Sequence, residues 1–426
     1  HQVTGRRNKS RIYKRLGFIV LIFFITLFAS APFFSVYSER PSHYSGLNPS
    51  NETVFIAANI INGELVRDSW GQSVLELIDR IGPENAFLSI YENDSGPETA
   101  KALQELADKV QCDYSIVSGH VDLDTFPTIQ ILPGEQRIKR IAYLAHVRNQ
   151  ALRPLDQTQA EHSPDFNSTN RHFDKLLFLN DIVFSPSNAA DLLFSTNIGP
   201  DGRTDYHAAC AVDFGNPFKF YDRFALRDNE GYRVGLPFFP WFTTAGRAES
   251  WSDVMSGSDA VRVQSCWGGM VAFEAEWFQS QHSTKDLEPL RFRAEPELFW
   301  DASECCLIHA DLMERAHETA LGRDSGIYVN PYVRVAYDTT TFSWLDFVLH
   351  FEQLFALGHF VADTVRGFPG SNTRQLESPG EVVTHRTWVF DGPVNDTAVS
   401  PGIKSIPEFG HWESVTDTAK PGGYCG

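Results

Sequence analysis

The sequence predicts an α/β fold, a sheet of nucleotide-binding type flanked by helices and preceded by one N-terminal apolar span. Three observations predict it. Apolar, strand-forming runs alternate with segments of helical periodicity between residues 53 and 117, the rhythm of βαβ units. Polar side chains gather where those strands end, the edge at which such sheets bind ligands. Residues 16–34 (LGFIVLIFFITLFASAPFF) carry no charge.

The apolar span comes first in the chain. Nineteen helical residues reach about 28 Å, close to the bilayer core. Arg6, Arg7, Lys9, Arg11, Lys14 and Arg15 precede it, which orients the N-terminus to the cytosol. The expectation is a basic tail (1–15), a signal anchor (16–34), a Ser/Pro/Asn/Tyr-rich stem (35–52) and a lumenal body. Net charge is -18 overall, and the body beyond the basic tail is more acidic still. So acidic a body argues against general nucleic-acid binding. An anionic ligand would need a local arginine cluster or a bound cation. Asn51, Asn93, Asn167 and Asn395 open glycosylation sequons. The six cysteines allow up to three bridges without choosing among the pairings, and no Cys/His spacing marks a zinc site.

In the body, Thr53–Asn59 reads as a buried strand, Leu65–Ile81 as a helix and Ala86–Tyr91 as a second strand. Ser95 and Glu98 have capping-box spacing before a helix that runs to Lys109, and 113–117 reads as a third strand. Asn59, Glu92, Asn93 and Asp94 then lie at strand ends. Residues 135–152 read as one helix. On it Arg137, Arg140 and Arg148 fall within about 80° of one another, a candidate diphosphate clamp or a solvated basic face. Residues 154–171 are a polar loop.

Next comes KLLFLNDIVFSP (175–186), in which Asn180-Asp181 interrupts an apolar run. A carboxylate there is costly to bury unless paired or metal-bound, so Asp181 either turns a solvated bend or holds an ion. Ala208–Asp213 is another strand. Asp222 and Arg223 lie in FYDRFALRD, ahead of a Gly/Pro/aromatic stretch (231–241) typical of binding loops. Around Trp267, Gly268 and Gly269 the pattern is strand, Gly-Gly turn, strand, and the glycines permit close approach of a ligand or another backbone. Glu304 and His309 stand about 140° apart if helical. Cys305 and Cys306 are vicinal, and a mutual disulfide would be strained. Residues 342–366 read as mainly one amphipathic helix. After Gly370 a Gly/Pro/Ser-rich extension (371–426) wraps the body that spans 53–370.

FLNDIVF, FYDRFALRD, QSCWGGMVAF, DASECCLIHADL and the terminal KPGGYCG together resemble the fungal capsule-associated, cryptococcal-type α-1,3-mannosyltransferases. The resemblance implies a glycosyltransferase A fold with a Rossmann-like mixed sheet, in a single-pass type II Golgi protein. It implies a GDP-mannose donor, a mannose-containing acceptor of oligomannose type, Mn²⁺ and a retaining mechanism. On that basis Asp181 is assigned to the metal, with His309 as second ligand. Arg137, Arg140 and Arg148 are assigned to the diphosphate and Asn59, Glu92 and Asp94 to the nucleoside. Glu304 would stabilise the sugar or orient the acceptor, and Asp222, Arg223, Trp267 and Gly268 would lie near donor or acceptor. The Asp-x-Asp metal motif of glycosyltransferases appears here only as Asn180-Asp181. Another nucleotide-sugar donor, or a non-catalytic role in polysaccharide assembly, are the competing readings.

Overall fold

The computed structural model describes residues 14–426 apart from 16, 20, 23–24, 27, 32–34, 133–134, 157–170, 280–287, 317–322, 371 and 391–409. The sequons at Asn167 and Asn395, most of the 154–171 loop and part of the 16–34 span lie outside the described residues. Among the described residues, no helix is long and apolar enough to cross a membrane.

In chain order the strands are β1 (Val54–Asn59), β2 (Ala86–Asn93), β3 (Asp113–Gly119), β4 (Thr128–Leu132), β5 (Glu135–Ile138), β6 (Lys175–Leu179), β7 (Ala208–Asn216), β8 (Lys219–Phe220), β9 (Arg227–Asp228), β10 (Val261–Ser265), β11 (Met270–Glu274), β12 (Ile327–Ala336), β13 (Val382–Phe390) and β14 (Gly410–Thr418). The α-helices are α1 (Gly63–Arg67), α2 (Ser69–Ile81), α3 (Pro97–Ala107), α4 (Arg140–Leu152), α5 (Pro186–Phe194), α6 (Glu249–Ser256), α7 (Glu304–Ala316), α8 (Thr339–Leu349) and α9 (Gln353–Arg366).

One mixed sheet organises the body, in the order β3-β2-β1-β6-β11-β7-β12-β10-β9, with β8 beside β7. β3, β2, β1 and β6 are mutually parallel. β11 runs antiparallel between β6 and β7, and β12 lies parallel to β7. β1, β2, β3, β6, β7 and β12 therefore all end at one edge, where β11 begins. The apolar runs of β1 and β6 are wholly buried because both sheet faces are covered, as parallel strands require. Phe55, Phe87 and Phe178 face one core and Ile56, Leu88 and Leu177 the other, the period of two expected along a strand.

Several expected elements change. Residues 65–81 divide into α1 and α2, because Asp68 leaves the helical region while Asn62 caps α1. The capping box is not formed: Gly96 precedes α3, and the Ser95 N–H is held instead by Glu92 at 2.6 Å. The helix expected over 135–152 begins only at Arg140, since 135–138 pair with β4 as a hairpin. β10 and β11 flank the Gly-Gly turn as expected but are not neighbours, with β12 and β7 between them. The amphipathic stretch 342–366 is two helices, α8 and α9. Two disulfides, Cys210–Cys266 and Cys306–Cys425, tie β7 to the turn after β10 and the C-terminus to α7. Cys112 and Cys305 are free and buried. The aromatic loop at 231–241 packs inward, with Phe239 and Trp241 in the core.

Candidate active site

The shared strand edge gathers the chemistry. Asn180 and Asp181 follow β6, and the Asn180 N–H is fixed to the Gly269 carbonyl at 2.9 Å. Its own carbonyl accepts from the Trp70 indole N–H at 3.0 Å, so the bend that presents Asp181 is clamped from both sides. Arg148 enters from α4. Its Nη1 reaches Asn180 Oδ1 at 3.3 Å and its Nε reaches Glu304 Oε1 at 3.1 Å. The guanidinium lies 4.2 Å from the Trp267 ring centroid and 5.3 Å from that of Phe178, a cation–π setting. Burial pulls the Arg148 pKa down, but the fields of Cys305 and Glu304 more than offset this, and it stays charged.

Two further aspartates close the site. Asp213, inside β7, accepts from the Tyr337 hydroxyl at 2.7 Å and from the Asp222 N–H at 3.0 Å. Asp222 accepts from the N–H groups of Phe224, Ala225 and Gly268. Gly268 is left-handed at φ 57°, and a Cβ there would collide with the Ala211 carbonyl, so only glycine brings this N–H to Asp222. Burial, then repulsion from Asp222, pushes the Asp213 carboxyl up to about 7. Burial also raises Asp222 against its N–H donors. Asp181 is raised by burial, opposed by its own N–H and by Arg148. Tyr337 is raised by burial and by the fields of Asp213, Asp222 and Asp181. Tyr221, 60% exposed, packs its ring 4.7 Å from that of Tyr337 and forms an open rim with Phe224, 82% exposed.

A cavity of about 650 Å³ adjoins the ends of β2 and β3, lined by Ile61, Asn93, Asp94, His120, Val121 and Tyr143 among others. Asp94 holds His120 at 2.7 Å and the Val121 N–H at 3.1 Å, and the His120 bond depresses its carboxyl. The amide of Asn93 is bound to the Tyr143 hydroxyl at 2.9 Å.

The structure brings Asp181, Arg148, Glu304, Trp267, Gly268 and Asp222 together. Arg223 is exposed beside Asp222. The three-arginine face does not form: Arg137 is on β5, paired with Glu135, and Arg140 is exposed at the first residue of α4. Of the three nucleoside candidates, Asp94 lines the cavity. Asn59 instead straps β2 to α4, its amide donating to the Tyr91 and Val147 carbonyls at 3.1 and 2.9 Å. Glu92 is buried under the Ser95 turn. His309 is not brought to Asp181. It is fully buried on α7, with Nδ1 on the Cys305 carbonyl at 2.8 Å and its ring against Phe273. Its other neighbours are the sulfurs of the Cys210–Cys266 disulfide, which cannot ligate as thiolates. Burial lowers its pKa to about 4.

Whether these residues fit a divalent cation turns on Asp181. Asp213 and Asp222 have turned their oxygens onto Tyr337 and backbone N–H groups. Among the described residues, the groups of three potential ligands within 4.8 Å of one another are Cys210–Cys266–His309 and Glu297–His385–Asp417, neither of which includes Asp181. Asp181 accepts only from its own N–H among the described residues. One carboxylate suits a hard cation that completes its shell with substrate phosphates and water. Sequence reasoning missed Asp213 and Tyr337. The visible signal for Asp213 was a carboxylate closing an apolar strand, the same signal that marked Asp181.

A comparison with curated proteins returned no match. Among solved structures, the mannosyltransferase PcManGT from Pyrobaculum calidifontis, in complex with GDP-Man and Mn²⁺, is 12% identical, with a TM-score of 0.38, over 82% of this chain and 75% of that one. A mycobacterial protein is 14% identical, TM-score 0.34, over 83% and 86% of the two chains. Glucosyl-3-phosphoglycerate synthase from Mycobacterium tuberculosis, with Mn²⁺, UDP and phosphoglyceric acid, is 13% identical, TM-score 0.34, over 90% and 96%. TM-scores this low mark distant likenesses, and no assignment rests on them. The family match is of a different order: the model of the cryptococcal mannosyltransferase 1 family matches residues 53–311, more than half of the sequence, and the chain belongs to that family of glycosyltransferases.

Proposed function

We propose that the protein is a retaining α-1,3-mannosyltransferase of glycosyltransferase A type. It moves mannose from GDP-mannose to a mannose-containing acceptor glycan. The observation that carries this, beside family membership, is the open Asp181 carboxylate at the strand edge with the Arg148–Glu304 pair beside it. The cavity beside Asp94 takes the nucleoside, and its volume suits a small ligand. Asp181 would hold the Mn²⁺. That ion, when bound, neutralises charge on the departing diphosphate. Arg148 holds a diphosphate oxygen through the guanidinium edge not committed to Glu304. Trp267 and Phe178 cover Arg148 and exclude water, which strengthens its field. Glu304 faces the positive sugar side. In a retaining transfer the leaving phosphate takes the acceptor proton, so no general base is required on the acceptor side. Tyr221 and Phe224 offer exposed faces on which the acceptor sugar stacks.

Residues 16–34 anchor the chain in the Golgi membrane with the body lumenal. The uncharged run behind a basic flank supports this, and so do two disulfides, which persist in oxidising compartments.

The test is a panel of labelled nucleotide sugars with mannose-containing acceptors, with and without Mn²⁺, and linkage analysis of the product. GDP-mannose with Mn²⁺ gives an α-1,3 product, and Asp181→Ala abolishes it while the protein still folds. Full activity of Asp181→Ala, or after chelation, removes the metal assignment. Transfer from another nucleotide sugar removes the donor assignment. No transfer or nucleotide-sugar binding by the wild-type chain supports the non-catalytic reading.

A further inference from the structure

Described residues within and just after the apolar span are tied to the body. Tyr37 is buried, and its hydroxyl donates to the Val254 and Ser258 carbonyls at 3.0 and 3.2 Å. The Ser35 hydroxyl donates to the Leu349 carbonyl at 2.9 Å, at the end of α8. Phe28, inside the apolar span, stacks on Phe351 between α8 and α9, with ring centroids 4.6 Å apart. The expected stem is thus pinned to the body where it begins. If residues 16–34 cross a bilayer, the α8–α9 junction is held at its surface.

The face presented there is apolar. Phe351 packs 5.1 Å from Phe347, which packs 5.6 Å from Trp344. Trp344 and Phe347 are 51% and 55% exposed. On α9, Phe360, Val361 and Val365 are 49%, 52% and 80% exposed. A continuous series of rings therefore leads from Phe28 in the apolar span to exposed side chains on α8. Leaving these groups in water is unfavourable. A lipid interface accepts them, and it favours a Trp-bearing apolar face on a helix lying in its plane.

We propose that α8 and α9 dock in the membrane interface and hold the active-site body against the bilayer instead of on a free stem. The inference rests on the reading of 16–34 as an anchor. The occupant is lipid rather than a second copy of the chain, because the face is continuous with the anchoring segment.

The experiment uses the full chain reconstituted in phosphatidylcholine vesicles. Phe347→Cys and Val361→Cys are labelled separately with an environment-sensitive fluorophore. Lys101→Cys, exposed on α3 beside the outer strand β3, is the control. Native thiols do not compete, since Cys112 and Cys305 are buried and the other four cysteines are bridged. The expected result is blue-shifted emission at 347 and 361, quenched several-fold more by doxyl-labelled lipid than at 101. Aqueous emission at both positions from carbonate-resistant protein overturns the docking and leaves the anchor standing. Labels shielded from water but unquenched by lipid indicate a second copy and overturn it equally. Protein released by alkaline carbonate overturns the anchor and the docking together.

Discussion

His309→Leu separates a core residue from a metal ligand. In the structure the imidazole is enclosed, and burial lowers its pKa from 6.5 to about 4. Between those values the unfolded chain takes up a proton that the folded chain refuses. Its neutral form thus supports stability fully above pH 6.5, and that support is lost as pH falls toward 4. At about 1.4 kcal/mol per pH unit, the loss reaches about 2 kcal/mol near pH 5 and about 3 kcal/mol once both states are protonated. Leucine is similar in bulk and does not titrate. It gives up the Nδ1 bond to the Cys305 carbonyl, which already serves the α7 backbone. Urea unfolding of both proteins at steps from pH 7.5 to 4.5 gives the difference in stability. That difference should move by about 2 kcal/mol in favour of the variant as pH falls from 7 to 5. Mn²⁺-dependent transfer at pH 7 should stay within about threefold of wild type, since a group that touches neither substrate nor ion contributes nothing selective to the transition state. A pH-independent difference would refute the burial argument. Loss of transfer with unchanged folding would restore His309 as a ligand.

Arg148→Ala should cost about 3–5 kcal/mol in urea unfolding, because it strands Glu304, whose side chain is 3% exposed. Arg148→Ala/Glu304→Gln should be less destabilised than the single Arg148→Ala variant, and additive costs would refute the pairing. Gly268→Ala should lower stability by about 1–3 kcal/mol in thermal melts and abolish transfer, because the new Cβ meets the Ala211 backbone at positive φ. Gly269→Ala should be milder on both readouts: it shares the positive-φ strain, but the one tight contact of its Cβ is the movable Ile182 side chain at 2.8 Å and not backbone.

What was legible in the sequence was local. A carboxylate set in an apolar run marked Asp181, and a Gly pair between two strands marked Gly268. What was not legible depended on distant pairing. Asp213 becomes a site residue through Tyr337, 124 positions away. Ile138 falls in helical register with Ile141, Ala145 and Leu152, yet pairing with β4 makes 135–138 a strand and moves Arg137 off the presumed arginine face. For His309 the helical spacing, about 140° from Glu304, already pointed the two side chains apart, and only the resemblance made it a ligand. On α7 the helical turn between Glu304 and His309 sends one to the strand edge and the other to the core.

Charge balance at the strand edge bears on how a diphosphate could be accepted at all. Asp181 and Glu304 feel the Arg148 guanidinium, which is already shared with Glu304, and among the described residues the Asp213–Asp222 pair feels only Arg227, through Asp222. Lys139, buried at the N-terminus of α4, is committed elsewhere: it donates to the Pro296 carbonyl at 3.3 Å and pairs with Asp301 at the same distance. A diphosphate entering this field meets net repulsion from the protein's own carboxylates. Burial raises the pKa of Asp181, Asp213 and Asp222, and for Asp213 the neighbouring Asp222 carboxylate adds to it. Two changes lessen it. Protonation of the Asp213–Asp222 pair removes one negative charge below about pH 7 without disturbing Asp181. A divalent cation at Asp181 reverses the sign locally and brings the diphosphate in with it. The first change alone leaves Asp181 and Glu304 against Arg148, so it cannot substitute for the second. Donor binding should therefore depend on the cation at every pH, while the cation's own affinity falls as Asp181 becomes protonated. Donor binding that persists after chelation at pH 6, where the pair carries its proton, would refute this balance.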